Sequence, residues 1–402
     1  MSRSARLSRA RLGRMHDVMA GHVRRGAIPG LVTAISRRGE VHVDAVGTTA
    51  LGGRDPIRRD TIFRIASMTK PVTALAAMIL VEECALRLDE PVDRLLPELA
   101  DRRVLRRVDG PLDDTVPAGR PITVRDLLTF RMGFGLVMAP PDTYPIQKVV
   151  SEQQVMTLGP PKPASPHTPD EWIRRFGALP LMTQPGETWM YNTGSAVLGV
   201  LIARAAGQPL ETFLRERIFE PLGMKDTAFS VPAAKLDRLA ACYQTTRDGR
   251  LELHDGVKDG QWSRPPAFPD GASGLVSTID DYLAFGQMML NRGKQGRERI
   301  LSRPSVELMT TDHLAPAQRV GSDWILGADR GWGFGLAVVT RRDDVAGVPG
   351  RFGWDGGYGT SWASDPAEEL VAILMTQCLW TSSSPPPVYV DFWTSVYQAI
   401  DD

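Results

Sequence analysis

The sequence has 402 residues and a mass of 44.1 kDa, with 43% hydrophobic and 23% charged residues. A chain of this length and composition is typical of a globular protein and can form two packed bodies. The 47 basic residues equal the 47 acidic ones, which gives no reason to expect nucleic acid or an anionic membrane as a partner. We therefore expect a protein that acts on a small molecule.

The N-terminal segment is basic but lacks the apolar stretch of a secretory signal. A transit peptide stays an alternative, because no acidic residue precedes Asp17. Apolar residues at helical spacing favour an amphipathic helix instead; they are Leu12, Met15, Met19 and Val23. No apolar run reaches the length of a membrane span, so we expect no membrane partner and a cytoplasmic location.

The cysteines and histidines form no pattern that is typical of a disulfide framework or a metal site. Three cysteines lie far apart without a CxxC pair, and the six histidines lack the spacing of metal ligands. We expect no metal and no organic cofactor. Nothing in the sequence demands a partner chain, and the oligomeric state stays open.

The next elements along the chain are two predicted strands, 31–36 and 41–46, joined by a turn. A short apolar segment, 61–66, then leads into a long helix predicted from Ser67 to about Leu86. Pro71 falls in the first turn of that helix, where a missing N–H is tolerated. Pro71 therefore fixes the helix start close to Ser67.

The middle of the chain favours helices and loops, with helices predicted at 124–130, 169–176, 195–206 and 210–219. The proline-dense segment 137–168 predicts an irregular surface loop. The remaining predicted elements are a helix at 278–292, strands at 332–339, 358–364 and 369–376, and a helix at 387–400. Strands at both ends predict an α/β fold, with an antiparallel sheet built from both termini and flanked by helices. The predicted domains are 1–66 with 268–402, and a mostly helical insertion, 67–267.

The sequence Ser67-Met68-Thr69-Lys70 carries the clearest chemical signal. Residues three apart share a helix face, so the Ser67 hydroxyl and the Lys70 amine can meet. Such an amine activates a serine only when it is neutral, which burial can achieve. A structural alternative is that Ser67 only caps the helix and Lys70 is solvated. No G-x-S-x-G segment is present, so the nucleophile elbow of α/β-hydrolases is absent.

Several ordered segments resemble the serine β-lactamase and penicillin-binding-protein superfamily over about 20–400. The closest resemblance is to class C β-lactamase-like esterases, also called family VIII carboxylesterases. The matching segments are Phe63-Arg-Ile-Ala-Ser-Met-Thr-Lys70, Ile122-Thr-Val-Arg-Asp-Leu-Leu-Thr129, Pro185-Gly-Glu-Thr-Trp-Met-Tyr-Asn-Thr-Gly194, Pro221-Leu-Gly-Met-Lys-Asp-Thr227 and Gly274-Leu-Val-Ser-Thr278. Together they imply the β-lactamase/transpeptidase-like fold.

The resemblance implies site residues beyond Ser67 and Lys70. Tyr191 matches the family tyrosine that relays protons, and either Asn192 or Thr193 takes the place of the family asparagine. The segment Trp354-Asp355-Gly356 matches the strand edge that carries Lys-Thr-Gly in β-lactamases. In addition, the resemblance places the Gly357 N–H with that of Ser67 in an oxyanion hole.

The implied function is ester hydrolysis through a Ser67 acyl-enzyme. Trp354 replaces the lysine that holds a penicillin carboxylate, which predicts weak β-lactamase activity at most. Acyl transfer and D-aminopeptidase or amidase activity are alternatives that use the same intermediate, and a non-catalytic binding module is another. Segment 137–168 is a candidate rim of the pocket, and the tryptophans fit either an apolar pocket wall or the core; they are Trp172, Trp189, Trp332, Trp354 and Trp362.

Overall fold

The computed structural model describes residues 7–137, 139–155, 165–382 and 384–402. The strands are β1 Gly30–Arg37, β2 Glu40–Gly47, β3 Phe63–Arg64, β4 Arg103–Leu105, β5 Thr115–Pro117, β6 Cys242–Thr245, β7 Leu251–Asp255, β8 Val276–Ser277, β9 Lys294–Gln295, β10 Glu298–Arg299, β11 Arg330–Trp332, β12 Ala337–Val339, β13 Phe352–Gly356, β14 Thr360–Asp365 and β15 Leu370–Thr376.

The helices are α1 Arg9–Arg24, α2 Thr69–Glu82, α3 Val124–Leu128, α4 Pro145–Glu152, α5 Pro169–Gly177, α6 Thr193–Ala206, α7 Leu210–Leu214, α8 Glu220–Leu222, α9 Ile279–Leu290, α10 Arg303–Met309, α11 Asp323–Leu326 and α12 Pro387–Gln398. A π-helical turn, Arg215–Phe219, joins α7 to α8.

The central sheet has seven strands in the order β11-β12-β13-β14-β15-β1-β2, and every neighbouring pair is antiparallel. Side chains alternate between its faces, as the strand period requires. In β1, Val32 and Ala34 pack into the core that contains α9, whereas Leu31 and Ile35 pack against α1 and α12. The predicted α/β fold, with an antiparallel sheet built from both termini, is therefore confirmed.

Helix α2 is the central element of the helical region. Its residues 69–80 are all buried, and it packs against α6 and α7. A short 3-10 turn, Ala66–Met68, precedes it, so Pro71 lies in the first turn as predicted. The predicted end near Leu86 is wrong, because Cys84 adopts a φ of 59° and stops the helix after Glu82.

Two other predictions of secondary structure are wrong. Segment 137–168 contains the helix α4, since Pro145 occupies a first helical position, where proline is favoured, and Ile146 and Val150 are buried. Of this segment, residues 138 and 156–164 lie outside the described residues. The predicted strand 332–339 is instead the two strands β11 and β12, because the turn between them includes Gly335 with a φ of 70°.

The predicted division at 66/67 and 267/268 stays a prediction. The short hairpins β4–β5 and β6–β7 lie within 67–267, where helices otherwise predominate. No single helix among the described residues is long and apolar enough to cross a membrane. The helices Thr193–Ala206 and Leu210–Leu222, which are bent relative to each other, have the length and composition of a membrane span only when they are taken together. The cytoplasmic location stays a prediction.

The end of β13 packs directly against the turn that carries Ser67. A Cβ atom on Gly356 would lie 2.3 Å from the Ile65 carbonyl oxygen and 2.2 Å from Thr360 Oγ1. Only a residue without a side chain permits this approach, because real Cβ atoms do not come so close to other heavy atoms. Gly356 therefore brings the sheet edge to the start of α2.

We predict that Gly356→Ala lowers the free energy of unfolding by about 1–3 kcal/mol, because the added methyl group must push β13 away from the turn. Gly13→Ala is the matched control: Gly13 lies in α1 with open space around its Cβ direction. Alanine there should raise stability by up to about 1 kcal/mol. Urea unfolding of both variants checks this, and a Gly356→Ala variant as stable as the wild type contradicts the close approach.

Candidate active site

Ser67 and Lys70 meet at the start of α2. Lys70 Nζ lies 2.8 Å from Ser67 Oγ, and Lys70 is completely buried. Ser67 is 7% exposed, which leaves its hydroxyl at the edge of a cavity. Ala66, immediately before it, has a φ of 43°, an uncommon conformation for a residue with a side chain. The predicted contact between the two side chains is present in the structure.

The surroundings of Lys70 favour a neutral amine. Burial lowers the pKa of Lys70 to about 7, and the negative charge of Asp270 opposes this shift. The amine also lies 2.8 Å from the Ala272 carbonyl oxygen, and 4.6 Å from the centre of the Tyr191 ring. A neutral amine can donate one N–H to this carbonyl and still offer its lone pair to Ser67.

Tyr191 completes a cluster with Ser67 and Lys70. Its hydroxyl is hydrogen-bonded to Ser67, and Trp354 Nε1 donates a 2.7 Å hydrogen bond to the same oxygen. Burial raises the pKa of Tyr191, an effect that the bonds from Ser67 and Trp354 oppose. The phenol is consequently neutral near pH 7, with both Ser67 and Trp354 bonded to its hydroxyl.

The backbone around Tyr191 is held by the segment that follows α3. The Met190 N–H donates to the Phe130 carbonyl at 2.8 Å, and the Leu136 N–H donates to the Tyr191 carbonyl at 2.9 Å. Asn192 then adopts a φ of 87° before α6 begins. Such a strained conformation persists only where neighbouring contacts hold it, and here they fix the direction of the Tyr191 side chain.

A cluster of aromatic rings packs behind Tyr191. The ring of Trp332 lies 4.7 Å from that of Trp354 and 4.8 Å from that of Phe130, measured between centroids. Trp189 stacks on Tyr191 at 5.8 Å. Edge-to-face and offset contacts of this kind stabilise specific ring orientations. The cluster thus fixes both partners of the hydrogen bond between Trp354 and Tyr191.

Some of the other predicted site residues line the cavity beside Ser67, and others do not. Trp354, Gly356 and Gly357 line the same cavity as Ser67, at the end of β13. Asn192 and Thr193 stand at the start of α6 and are not among the described residues that line this cavity. The choice between Asn192 and Thr193, like the oxyanion role of Gly357, stays a prediction.

The cavity above Ser67 has a volume of about 730 Å³, which is within the range of small-molecule sites. Its walls are mainly apolar, with Leu136, Ile325 and the rings of Trp324, Trp354, Trp380 and Tyr389. Arg330 and Asp355 add charged groups, with Arg330 Nη1 3.8 Å from Asp355 Oδ2.

Sequence reasoning found only one of the tryptophans that line this cavity. Trp354 lines it, whereas the other four named tryptophans are core residues: Trp172, Trp189, Trp332 and Trp362. Trp324 and Trp380 were missed, because neither lies in a motif. The described residues of 137–168 do not line the cavity, whose rim comes instead from the α11 region and the segment leading into α12.

Comparisons with known proteins agree with this fold. A family model described as Beta-lactamase matches residues 15–384. Protein Rv1367c of Mycobacterium tuberculosis is 38% identical over 366 residues, covering 88% of this chain and 86% of that protein. Esterase EstB of Burkholderia gladioli is 30% identical over 395 residues, covering 93% and 92% respectively.

A solved structure is also similar along nearly the whole chain. It is that of EstCE1, described as a hydrolase with promiscuous acyltransferase activity. The two chains are 26% identical and superpose with a TM-score of 0.79, covering 96% of this chain and 98% of the other. The resemblance seen in the sequence motifs is confirmed: the chain is similar to β-lactamase-like serine esterases and belongs to the β-lactamase family.

Proposed function

We propose that this chain hydrolyses carboxylic esters through an acyl-enzyme formed on Ser67. Its family membership and its esterase and acyltransferase relatives support serine hydrolase or acyl-transfer activity in general. The observation that supports Ser67 and Lys70 as the reacting groups is the 2.8 Å contact between Lys70 Nζ and Ser67 Oγ in a buried site. An amine with a pKa of about 7 is half neutral near neutral pH and can accept the Ser67 proton.

In the acylation step, the Ser67 proton moves to Lys70 Nζ while Ser67 Oγ bonds to the ester carbonyl carbon. The carbonyl oxygen becomes negatively charged and needs preorganised donors. Gly357 lines the cavity beside Ser67, which supports its N–H as one of these donors. The bond from the carbonyl carbon to the alcohol oxygen then breaks.

Tyr191 is the group that we assign to protonate the departing alcohol oxygen. Its neutral phenol supports a role as acid rather than as phenolate base, and the hydrogen bond from Trp354 stabilises the phenolate that is left once the proton has gone. The Tyr191 proton passes to the alcohol, and the Lys70 ammonium returns a proton to Tyr191. Water then attacks the acyl-enzyme by the reverse proton path and releases the acid. These steps use no metal and no organic cofactor.

The cavity supports an ester rather than a penicillin as the substrate. Trp354 presents an aromatic ring where β-lactamases carry a lysine, so no cation from that position can hold a penicillin carboxylate. The apolar walls favour an uncharged acyl or alcohol group. β-Lactam or peptide hydrolysis at this site is therefore expected to be weak.

Acyl transfer to an alcohol is the second candidate. The cavity, at about 730 Å³, has room for an acceptor alcohol beside the acyl group, and the similar EstCE1 is described as a hydrolase with promiscuous acyltransferase activity. The acyl-enzyme is common to both reactions, so only the acceptor differs. Adding an alcohol to an ester assay and counting ester and acid products separates the two.

We predict a burst of p-nitrophenol when the wild type meets a short p-nitrophenyl ester, together with one acyl group in the intact mass. Ser67→Ala should give neither, because it lacks the nucleophile. Ser151→Ala, in an exposed position on α4, is the control and should behave as the wild type. Equal turnover by Ser67→Ala, or no adduct on the wild type, would favour the binding-module alternative.

A second prediction concerns pH. kcat/KM should rise about tenfold per pH unit below pH 7 and level off above it, because only neutral Lys70 accepts the Ser67 proton. Lys70→Met should lose this activity, whereas Lys148→Met, at an exposed lysine of α4, should keep both rate and profile. A rate that is flat from pH 5 to 9 rules out Lys70 as the base.

A third prediction separates the roles of Tyr191 and Lys70. Tyr191→Phe should lower kcat about 10²–10⁴-fold for an alkyl ester, whose alcohol needs a proton to leave, and much less for a p-nitrophenyl ester. Tyr397→Phe is the control, since the Tyr397 hydroxyl bonds Asp365 on the far side of the sheet from α9. Equal losses for both esters would count against Tyr191 as the acid.

A further inference from the structure

Asp270 is a buried carboxyl group in the segment between the helical region and β8. One of its oxygens accepts the Ala272 N–H at 2.8 Å, and the other accepts the Ser273 hydroxyl at 2.7 Å. Its own carbonyl accepts the Gly274 N–H at 2.9 Å. These bonds fold 270–274 into a tight turn. The turn presents the Ala272 carbonyl to the Lys70 amine, 2.8 Å away.

Asp270 is also the charged group that acts on Lys70. The negative charge of Asp270 raises the pKa of the Lys70 amine, and the Lys70 cation in turn lowers the pKa of Asp270. The other titratable group facing this amine is Tyr191, whose ring lies 4.6 Å from Nζ. Burial raises the pKa of Asp270, while hydrogen bonds from Ala272 and Ser273 and the charge of Lys70 oppose that shift and favour the carboxylate.

We propose that Asp270 is a positioning residue, which holds the Ala272 carbonyl on the Lys70 amine and sets the pH at which that amine accepts the Ser67 proton. This inference rests on the proposed function. When the Ser67 O–H bond breaks and the new N–H bond forms, Lys70 becomes an ammonium in a dry site. The Asp270 carboxylate stabilises this charge, so the proton stays on the amine until Tyr191, having protonated the departing alcohol, takes it.

Asp281 provides a matched control within the same chain. It is buried at 5% exposure and accepts a backbone N–H from Asp226 at 2.8 Å and a hydroxyl from Thr227 at 2.8 Å, and it also bonds the Thr278 side chain. Burial raises its pKa as it does for Asp270. Asp281 is not among the groups that influence Lys70. Asparagine at this position therefore removes a similar set of bonds without changing the charge beside the amine.

The experiment measures the rate of phosphorylation by diethyl p-nitrophenyl phosphate from pH 5 to 10, with intact mass to identify the adduct. Wild type should give a rate that rises with pH and levels off near 7. Asp270→Asn should shift this rise to lower pH by about one unit, because loss of the negative charge favours the neutral amine. Its plateau should fall, since a weaker base accepts the proton less readily. Asp281→Asn should keep the wild-type midpoint.

A midpoint for Asp270→Asn that coincides with the wild type overturns the inference. If Asp270→Asn does not fold, Asp270→Ser decides: it also removes the negative charge beside the amine, keeps a hydroxyl that can accept the Ala272 N–H, and should shift the midpoint downward by a similar amount. An unshifted midpoint in Asp270→Ser then overturns the inference. Failure of the proposed function is distinct, because the wild type itself would then acquire no phosphoryl group on Ser67.

Discussion

The site depends on the burial of one amine. Lys70 is completely enclosed yet lies against a serine hydroxyl and a carbonyl, and water is replaced by these two partners. Moving the pKa of a lysine from 10.5 to about 7 costs on the order of 5 kcal/mol of stability at low pH. A cost of that size is a large fraction of the free energy of unfolding of a typical domain. The surrounding structure must offset it.

Three parts of the fold converge on this amine. Helix α2 carries both Lys70 and the turn with Ser67, the 270–274 turn provides the Ala272 carbonyl, and the segment before α6 provides Tyr191. The sheet adds the fourth side through Gly356, which permits close approach of β13 to the Ser67 turn. Because these parts come from distant positions in the chain, the cluster forms only when the whole fold is assembled.

The pairing of Ser67 with Lys70 could be predicted because both residues lie in one short local pattern. Ser67 and Lys70 share a helix face, and the first-turn Pro71 marks where that helix starts. Tyr191 was placed only by resemblance to a family, since nothing local separates it from an ordinary core tyrosine. The structure brings the three side chains together, while their catalytic roles stay predictions.

Other features could not be predicted from the sequence, because they depend on long-range contacts. Trp324 and Trp380 line the cavity through the placement of loops, and Asp270 acts through a turn against α2. The sequence does not predict the helix α4, because a proline can either begin a helix or belong to a loop. It does not separate the strands β11 and β12, because the apolar residues continue through their turn.

The protonation of Lys70 itself is the most direct test of the proposed mechanism. Incorporating ¹³C-labelled lysine and titrating the protein by NMR can report it, since the chain has seven lysines and the signal absent from Lys70→Arg is that of Lys70. The mechanism predicts that this signal titrates near pH 7. Titration near the ordinary lysine value of about 10.4 would contradict it, because the amine would then be charged whenever the serine must lose its proton.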